Sequence, residues 1–501
     1  MNYFIGVDIG TTGIRAGVYN EEFDLLGSGT GRSIIKQGPR KEIIQDPEDI
    51  YLETAGAVNK AIRSSGVEKK HIRCISFDGQ MAGIMGIDKN WSAVTPYDSW
   101  LDTRCSDQVV RIQSKAKDLV IEKTGNIPSY NHGPKILWWM EQQPETFRNI
   151  YSFIPPAVYV AGRLCDLSGK DAFVDWSYLH FSGFADTGSL DWDAELTSLF
   201  QVPKEKLPKI VSPFSIVGNV TRENAELYNL PENCHVAAGC GDTVSCFLGT
   251  GAVDRGMAVD VAGTASVFAL AVDRFVPDHE GLVYTGRSVL KDIWYSMSYI
   301  NGGGLNLDWY KDTFTAGMGF TELDEGAMGL PAGSEGLIFI PHLEGRGYPN
   351  NPGMRGQWRG FTRNHTSSHF YRSILEGTAY EYALYMEKIK QLTYGPKETD
   401  RPAFTVRGVG GGAKSRVWNQ IKADVLGCQY CTITREDVSI LGQGIIASAA
   451  FGGEKNITET VQHIVKPKEV FQPDRERHER YREMILKYEQ MLAQYETAKE
   501  Q

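Results

Sequence analysis

Asp242 stands in Ala238-Gly239-Cys240-Gly241-Asp242-Thr243, an acid among glycines and small residues, with apolar Phe247 and Leu248 close behind it. Glycine at such positions lets another group approach the backbone closely. An acid near a buried surface can take a proton from a hydroxyl, or it can simply cap the helix that follows. Three turns rich in glycine and hydroxyl groups accompany it: Gly10-Thr11-Thr12-Gly13, Gly263-Thr264-Ala265-Ser266 and Gly410-Gly411-Gly412-Ala413-Lys414-Ser415. Backbone N–H groups and hydroxyls in such turns cradle phosphates, so together they could hold a nucleotide. Asp8, beside the first turn, would face a phosphate-bound Mg²⁺ through water. Phosphoryl transfer to a hydroxyl needs positioning, charge neutralisation and a base, and this inventory supplies each, with Asp242 facing the acceptor.

Strands and helices must position these turns. Residues 3–8 read as a buried strand and residues 14–19 resume β-branched and apolar character, which predicts a hairpin about the first turn. Residues 257–266 repeat the pattern, an apolar strand with an internal acid, Asp260, running into Gly-Thr. Half the chain separates the two, which predicts duplicated halves, residues 1–250 and 251–501, with the boundary near Gly249-Thr250-Gly251. Helical periodicity covers residues 49–64, 368–392 and 417–426, and the mixed order of strand and helix indicates α/β architecture. Tyr371, Leu375, Ala379, Tyr382, Met386 and Ile389 recur at helical spacing as a packing face. Residues 474–499 read as a charged helix whose stripe of Tyr481, Ile485, Tyr488, Leu492 and Tyr495 docks on the body of the protein.

A chain of 501 residues exceeds what one core usually serves, which again favours two domains. Its formal charge of −10 disfavours a nucleic-acid partner, whose phosphates demand clustered Lys and Arg. The first residues lack the basic and apolar regions of a signal peptide, and no stretch is apolar enough for a membrane span, so a cytoplasmic protein without membrane partners is expected. Eight cysteines fit reduced thiols, and Cys428-Gln-Tyr-Cys431 lacks a second pair at zinc spacing.

Two standard patterns nearly fit the third turn. The P-loop needs glycine where Ala413 stands, and the dinucleotide fingerprint Gly408-x-Gly410-x-x-Ala413 matches but has Asp424 rather close for the ribose acid. A dinucleotide-dependent oxidoreductase is therefore one competing reading, and an actin-like ATPase that transfers no phosphate is another.

The chain resembles the FGGY family of carbohydrate kinases over nearly its whole length. Gly6-Val7-Asp8-Ile9-Gly10-Thr11-Thr12, Gly79-Gln80-Met81-Ala82-Gly83, Trp100-Leu101-Asp102-Thr103-Arg104 and Lys135-Ile136-Leu137-Trp138 carry the resemblance in the first half. Gly239-Cys240-Gly241-Asp242, Gly263-Thr264, Leu343-Glu344-Gly345-Arg346, the Gly410–Ser415 turn and Gly442-Gln443-Gly444 complete it. The resemblance implies two actin/hexokinase-like (ribonuclease-H-like) α/β domains with a central cleft, and ATP with Mg²⁺ as phosphoryl donor. It makes Asp242 the base, sets Thr11, Thr12 and Arg15 along the phosphates, and gives Gly263, Thr264, Gly304, Gly410, Gly411, Gly412, Ala413 and Ser415 to the nucleotide. Gln80, Met81, Trp100, Asp102, Arg104, Asp242 and Thr243 would bind the acceptor, as in the similar segments of xylulose kinases. A ketopentose such as xylulose is the leading acceptor class, and a homodimer is compatible with the family. Ala82 and Thr243 depart from the xylulose-kinase pattern of His and Asn, which puts D-xylulose itself in doubt and admits a tetritol, a pentitol or a modified short sugar.

Overall fold

The computed structural model describes residues 1–39, 42–315, 317–395, 402–454 and 456–497. The chain forms two compact units, neither continuous in sequence. The first comprises Met1–Val253, Thr285–Trp294 and Asp437–Val465, and the second Asp254–Tyr284, Tyr295–Glu436 and Lys466–Gln501.

In the first unit, Tyr3–Ile9 and Gly13–Tyr19 pair antiparallel about the Gly10–Gly13 turn, as the residue pattern predicts. Tyr3–Ile9 also pairs in parallel with Ile72–Gly79, so that Asp8 and Asp78 are register partners. The sheet runs Ile216–Asn219, His235–Ala237, Ile72–Gly79, Tyr3–Ile9, Gly13–Tyr19, Leu25–Arg32, and Cys240–Gly241 pairs with the end of Ile72–Gly79. Alternate residues of Tyr3–Ile9 face opposite sides. Ile5, Val7 and Ile9 join a core with Ile50, Val58 and Ala61 of the helix Pro47–Ser65. Gly6 lies against the helix Val438–Gly452, where a Cβ would come 2.0 Å from the Ile440 carbonyl oxygen. Pro47–Ser65 starts cleanly because Asp46 accepts from the Glu48 N–H and Pro47 occupies the first turn. The helix settles closely on Leu25–Arg32 because that strand carries Gly-Ser-Gly-Thr-Gly; a Cβ on Gly29 would meet the Ala57 carbonyl at 2.2 Å.

The second unit repeats the strand order. Trp294–Ile300, Ser266–Val272, Met257–Ala262, Thr405–Val409 and Gln429–Ile433 follow one another, with Pro467–Phe471 beyond. Met257–Ala262 is antiparallel to Ser266–Val272 and parallel to Thr405–Val409, the same hairpin-then-parallel arrangement as in the first unit. This is the duplicated α/β topology that the resemblance implies. The helix Ser367–Tyr394 buries its whole predicted stripe, Tyr371 to Ile389.

The terminal helix Arg475–Thr497 docks as expected; Ala498 and Lys499 of the predicted range lie outside the described residues. Its tyrosines do more than pack. Tyr481 donates to Glu376 at 2.8 Å, Tyr488 to Glu381 at 2.5 Å and Tyr495 to the Gly353 carbonyl at 2.9 Å. Arg372 also binds Glu376, and Arg346 and His342 bind Glu381, so both wholly buried acids are compensated. Asp424, weighed above as a ribose acid, instead accepts the Asp474 N–H and pairs with Arg477 at the root of this helix.

Candidate active site

Asp242 is the first residue of the helix Asp242–Thr250, and Gly241 holds the cap position without a side-chain bond. The acid is therefore not the helix cap. Gly239 turns the chain into this helix at φ +73°, where a Cβ would lie 1.9 Å from the Phe77 carbonyl. Cys240–Gly241 then pairs with Asp78–Gly79, which brings Asp242 out at the end of the strand neighbouring Asp8. Asp242 Oδ1 accepts the Thr243 N–H at 2.6 Å and the Thr243 hydroxyl at 3.1 Å. Burial, then the nearby Asp8 carboxylate, pushes the Asp242 carboxyl up to about 7, against the Thr243 bonds. The residue keeps some solvent contact.

Sequence reasoning missed two residues here. Gln443, noticed only as part of a motif, accepts from Ser76 at 2.6 Å and donates to Ser245 at 3.0 Å and Cys240 Sγ at 3.1 Å. It ties together the strand, the turn and the helix that carry Asp242. Asp78 is wholly buried, and among the described residues no donor in hydrogen-bonding geometry reaches either carboxylate oxygen, although the nearby Ser245 hydroxyl favours its charged form. Burial, then the Asp8 and Asp242 charges, holds its carboxyl well above the usual range. Its signal was legible, an acid ending an apolar strand two residues before Gln80. Asp8 is likewise raised, by burial first, although Arg15 and the Ser439 hydroxyl favour its charged form. Among the described residues no three His, Cys, Asp or Glu side chains are grouped to hold a metal ion alone.

The predicted acceptor residues gather in the same unit. Gln80 is buried and donates to Gln45 Oε1 at 2.7 Å, while its own Oε1 has no partner among the described residues. Met81 lies over Gly241, where a Cβ would meet its methyl at 2.3 Å, and its carbonyl contacts His132 Nε2 at 2.6 Å. Burial depresses His132 to about 4, so the ring is neutral at pH 7. Trp100 is 45% exposed and donates its indole N–H to the Thr11 hydroxyl at 2.9 Å, which links the acceptor loop to the first glycine turn.

Asp102 and Arg104 occupy the loop but engage each other. The Asp102 carboxylate accepts the Arg104 N–H and Nε and the Ile43 N–H, and Lys135 donates to the Asp102 carbonyl at 2.7 Å. Arg104 Nη2 reaches Asp98 at 2.6 Å, whose other oxygen accepts the Trp139 indole N–H at 2.6 Å. Burial raises Asp98 to about 6 despite Arg104 and Lys135.

In the second unit, Gly304 donates to the Gly263 carbonyl at 2.9 Å and Leu305 to the Thr264 carbonyl at 3.1 Å, so the helix Gly303–Phe314 begins on that turn. Gly410, at φ +87°, backs onto the Ala262 carbonyl, and a Cβ on Gly412 would lie 2.7 Å from that of Ala262. Gly263, Thr264, Gly304 and the Gly410–Ala413 turn therefore meet at one sheet end. Ser415 differs, since its hydroxyl caps the helix Arg416–Leu426 by accepting the Trp418 N–H at 3.1 Å. Thr11 is partly exposed, and Thr12 and Arg15 are exposed, about the first unit's turn.

Comparison with known proteins agrees with this architecture. The N-terminal domain of the FGGY family of carbohydrate kinases matches residues 3–249, and its C-terminal domain matches residues 258–451. The chain belongs to the FGGY family of carbohydrate kinases, and is accordingly an enzyme that phosphorylates a sugar. It is 26% identical to the xylulose kinase of Bacillus subtilis over 97% of this chain and 96% of that one. It is 25% identical to the gluconokinase of the same organism, over 90% and 88%. The crystal structure of ligand-bound xylulose kinase from Lactobacillus acidophilus shares the fold, with a TM-score of 0.90, 22% identity and 98% coverage of both chains. No helix among the described residues is long and apolar enough to cross a membrane.

Proposed function

We propose that the chain transfers the terminal phosphoryl group of ATP to a primary hydroxyl of a small sugar or polyol, with a ketopentose as the leading acceptor class and Asp242 as general base. The observation that carries this reading is the state of Asp242. Its Oδ1 is held by Thr243, its Oδ2 accepts no hydrogen bond among the described residues, and burial keeps its proton affinity near neutrality. A base with a pKa near the working pH combines the ionised form with a useful driving force for proton transfer. The acceptor hydroxyl gives its proton to Asp242 as its oxygen bonds to phosphorus, and the bond to the bridging oxygen breaks to release ADP.

Gln80, Met81 and Trp100 line the acceptor side, and Asp102 and Arg104 brace the loop that carries Trp100. Thr11, Thr12 and Arg15 face the phosphates in the first unit. In the second, Gly263, Thr264, Gly304 and the Gly410–Ala413 turn receive the nucleotide through backbone N–H groups, with Ser415 as the cap that fixes the following helix. The acid-rich strand end fits a divalent cation. Neither Asp78 oxygen accepts a hydrogen bond among the described residues and Asp8 is its register partner, so Mg²⁺ there would offset repelling carboxylates. Asp8 would hold it through water, and the ion would supply charge neutralisation at the phosphates.

A coupled ADP-release screen over ketoses, aldoses, polyols and aldonates tests this, with Asp242→Asn as control. Sugar-dependent ADP release that vanishes in the variant is expected. Undiminished turnover in that variant removes Asp242 as the base, and ATP hydrolysis indifferent to every sugar removes the kinase reading.

A further inference from the structure

We propose that Asp98 is a specificity-determining residue that restricts the acceptor to uncharged sugars and polyols by keeping Arg104 engaged away from it. This rests on the sugar-kinase reading of the site and goes beyond it, because kinases of neutral and of acidic sugars both stand among the chain's relatives.

An aldonic acid differs from a ketose by a carboxylate, and a pocket accepts it by offering an unengaged cation, best of all a guanidinium. Arg104 of the acceptor loop and Lys135 of the helix His132–Gln142 behind it are both already engaged. Arg104 directs Nε to Asp102 and Nη2 to Asp98, and its guanidinium stacks on Trp138 at 4.4 Å. Lys135 is buried and donates to the Asp102 carbonyl. Of the two acids that hold Arg104, Asp102 has a further task, since it also binds the Ile43 and Arg104 backbone N–H groups. Asp98 is the one whose removal frees a guanidinium edge without dismantling the loop. Its second oxygen is anchored on Trp139, which aims the first at Arg104. The loop belongs to the acceptor region by contact, because Asp98 bridges Ile84 just beyond Gly83 and Trp100 reaches Thr11.

The test compares kcat/KM for D-gluconate with that for D-xylulose, D-ribulose and xylitol, in the wild type and in Asp98→Asn. Asparagine can still accept from Trp139 but withdraws the charge from Arg104. The wild type is expected to prefer the neutral compounds, and Asp98→Asn to raise the gluconate-to-neutral ratio about tenfold or more. The gain must vanish in Asp98→Asn/Arg104→Met, since it acts through the freed guanidinium; a merely structural role for Asp98 would lower both substrates together. Should Asp98→Asn not fold, gluconate binding to the wild type by calorimetry decides. Gluconate binding at least about tenfold weaker than xylitol binding supports the proposal, and gluconate binding as tight as xylitol overturns it. Gluconate used as well as the neutral sugars, or an unchanged ratio in folded Asp98→Asn, overturns it while leaving the kinase reading intact. Turnover of no sugar at all overturns that reading and this one with it.

Discussion

Lys422 and Asp260 form an ion pair in which neither side chain has any solvent exposure. Tyr382 and Tyr430 complete it by donating to Asp260 at 2.8 and 2.7 Å. In sequence, Asp260 and Asp8 look alike, each an acid in an apolar strand ahead of a Gly-Thr turn. Asp8 lies among acids at a strand end, whereas Asp260 is compensated by a cation and two hydroxyls. Removing one partner of such a pair leaves an uncompensated buried charge. Lys422→Met should therefore cost roughly 3–5 kcal/mol, and Lys422→Met/Asp260→Asn should recover much of it. Urea unfolding of both variants measures this; a single-variant loss below about 1 kcal/mol would show the pair to be dispensable.

Asp242→Asn should lower kcat by roughly 10²- to 10⁴-fold and leave nucleotide affinity in place. It should also raise the melting temperature by roughly 2 °C, since a buried, repelled carboxylate is replaced by a neutral amide. Isothermal binding of an ATP analogue and a thermal melt separate these effects from misfolding.

Activity should fall as pH drops through about 7, because the base must be ionised and burial, with Asp8 nearby, raises the Asp242 carboxyl to that value. Asp78, Tyr97, Tyr178 and Cys246 also feel its charge. The stability effect has the opposite sense. A carboxyl whose folded pKa lies above its unfolded value stabilises the fold while protonated, so this contribution declines as pH rises from about 4 to about 7. Asp8→Asn should move the activity limb to lower pH. A kcat/KM profile flat from pH 5 to 8 would exclude Asp242 as the titrating base.

Trp100→Phe keeps an aromatic ring but loses the N–H that reaches Thr11. Its stability should stay within about 0.5 kcal/mol of wild type, as expected for a half-exposed side chain. Its kcat/KM should fall about fivefold, the worth of one hydrogen bond. Steady-state kinetics with ATP and the acceptor varied in turn would show whether both apparent affinities weaken, as a link between loop and turn requires.

Local features of the fold were the most legible in the residues. The hairpin around Gly10–Gly13, the buried stripe of Ser367–Tyr394 and the docking face of the terminal helix follow from periodicity and turn chemistry, which act over a few residues. The acid in the glycine turn was legible for the same reason. What escaped depends on partners far apart in the chain. Gln443 meets Ser76 across 367 positions, and Arg104 is occupied by Asp98 only because the loop folds back on itself. Asp424 shows the converse, since a residue that suits a dinucleotide motif serves instead as an anchor for the terminal helix.

The interleaving of the two units bears on how the chain is made. The helix Val438–Gly452 lies on Gly6 and Gly17 of the first sheet, and the terminal helix supplies Tyr481 and Tyr488 to acids buried in the second unit. A ribosome delivers domains from the N-terminus onward, and most can close as they emerge. Here one face of the first sheet waits for a helix made some 400 residues later, and Glu376 and Glu381 wait for the last segment of all. The first unit has all its segments once Val465 is made and the second only with the terminal helix, so a chain halted near residue 430 would present two incomplete cores.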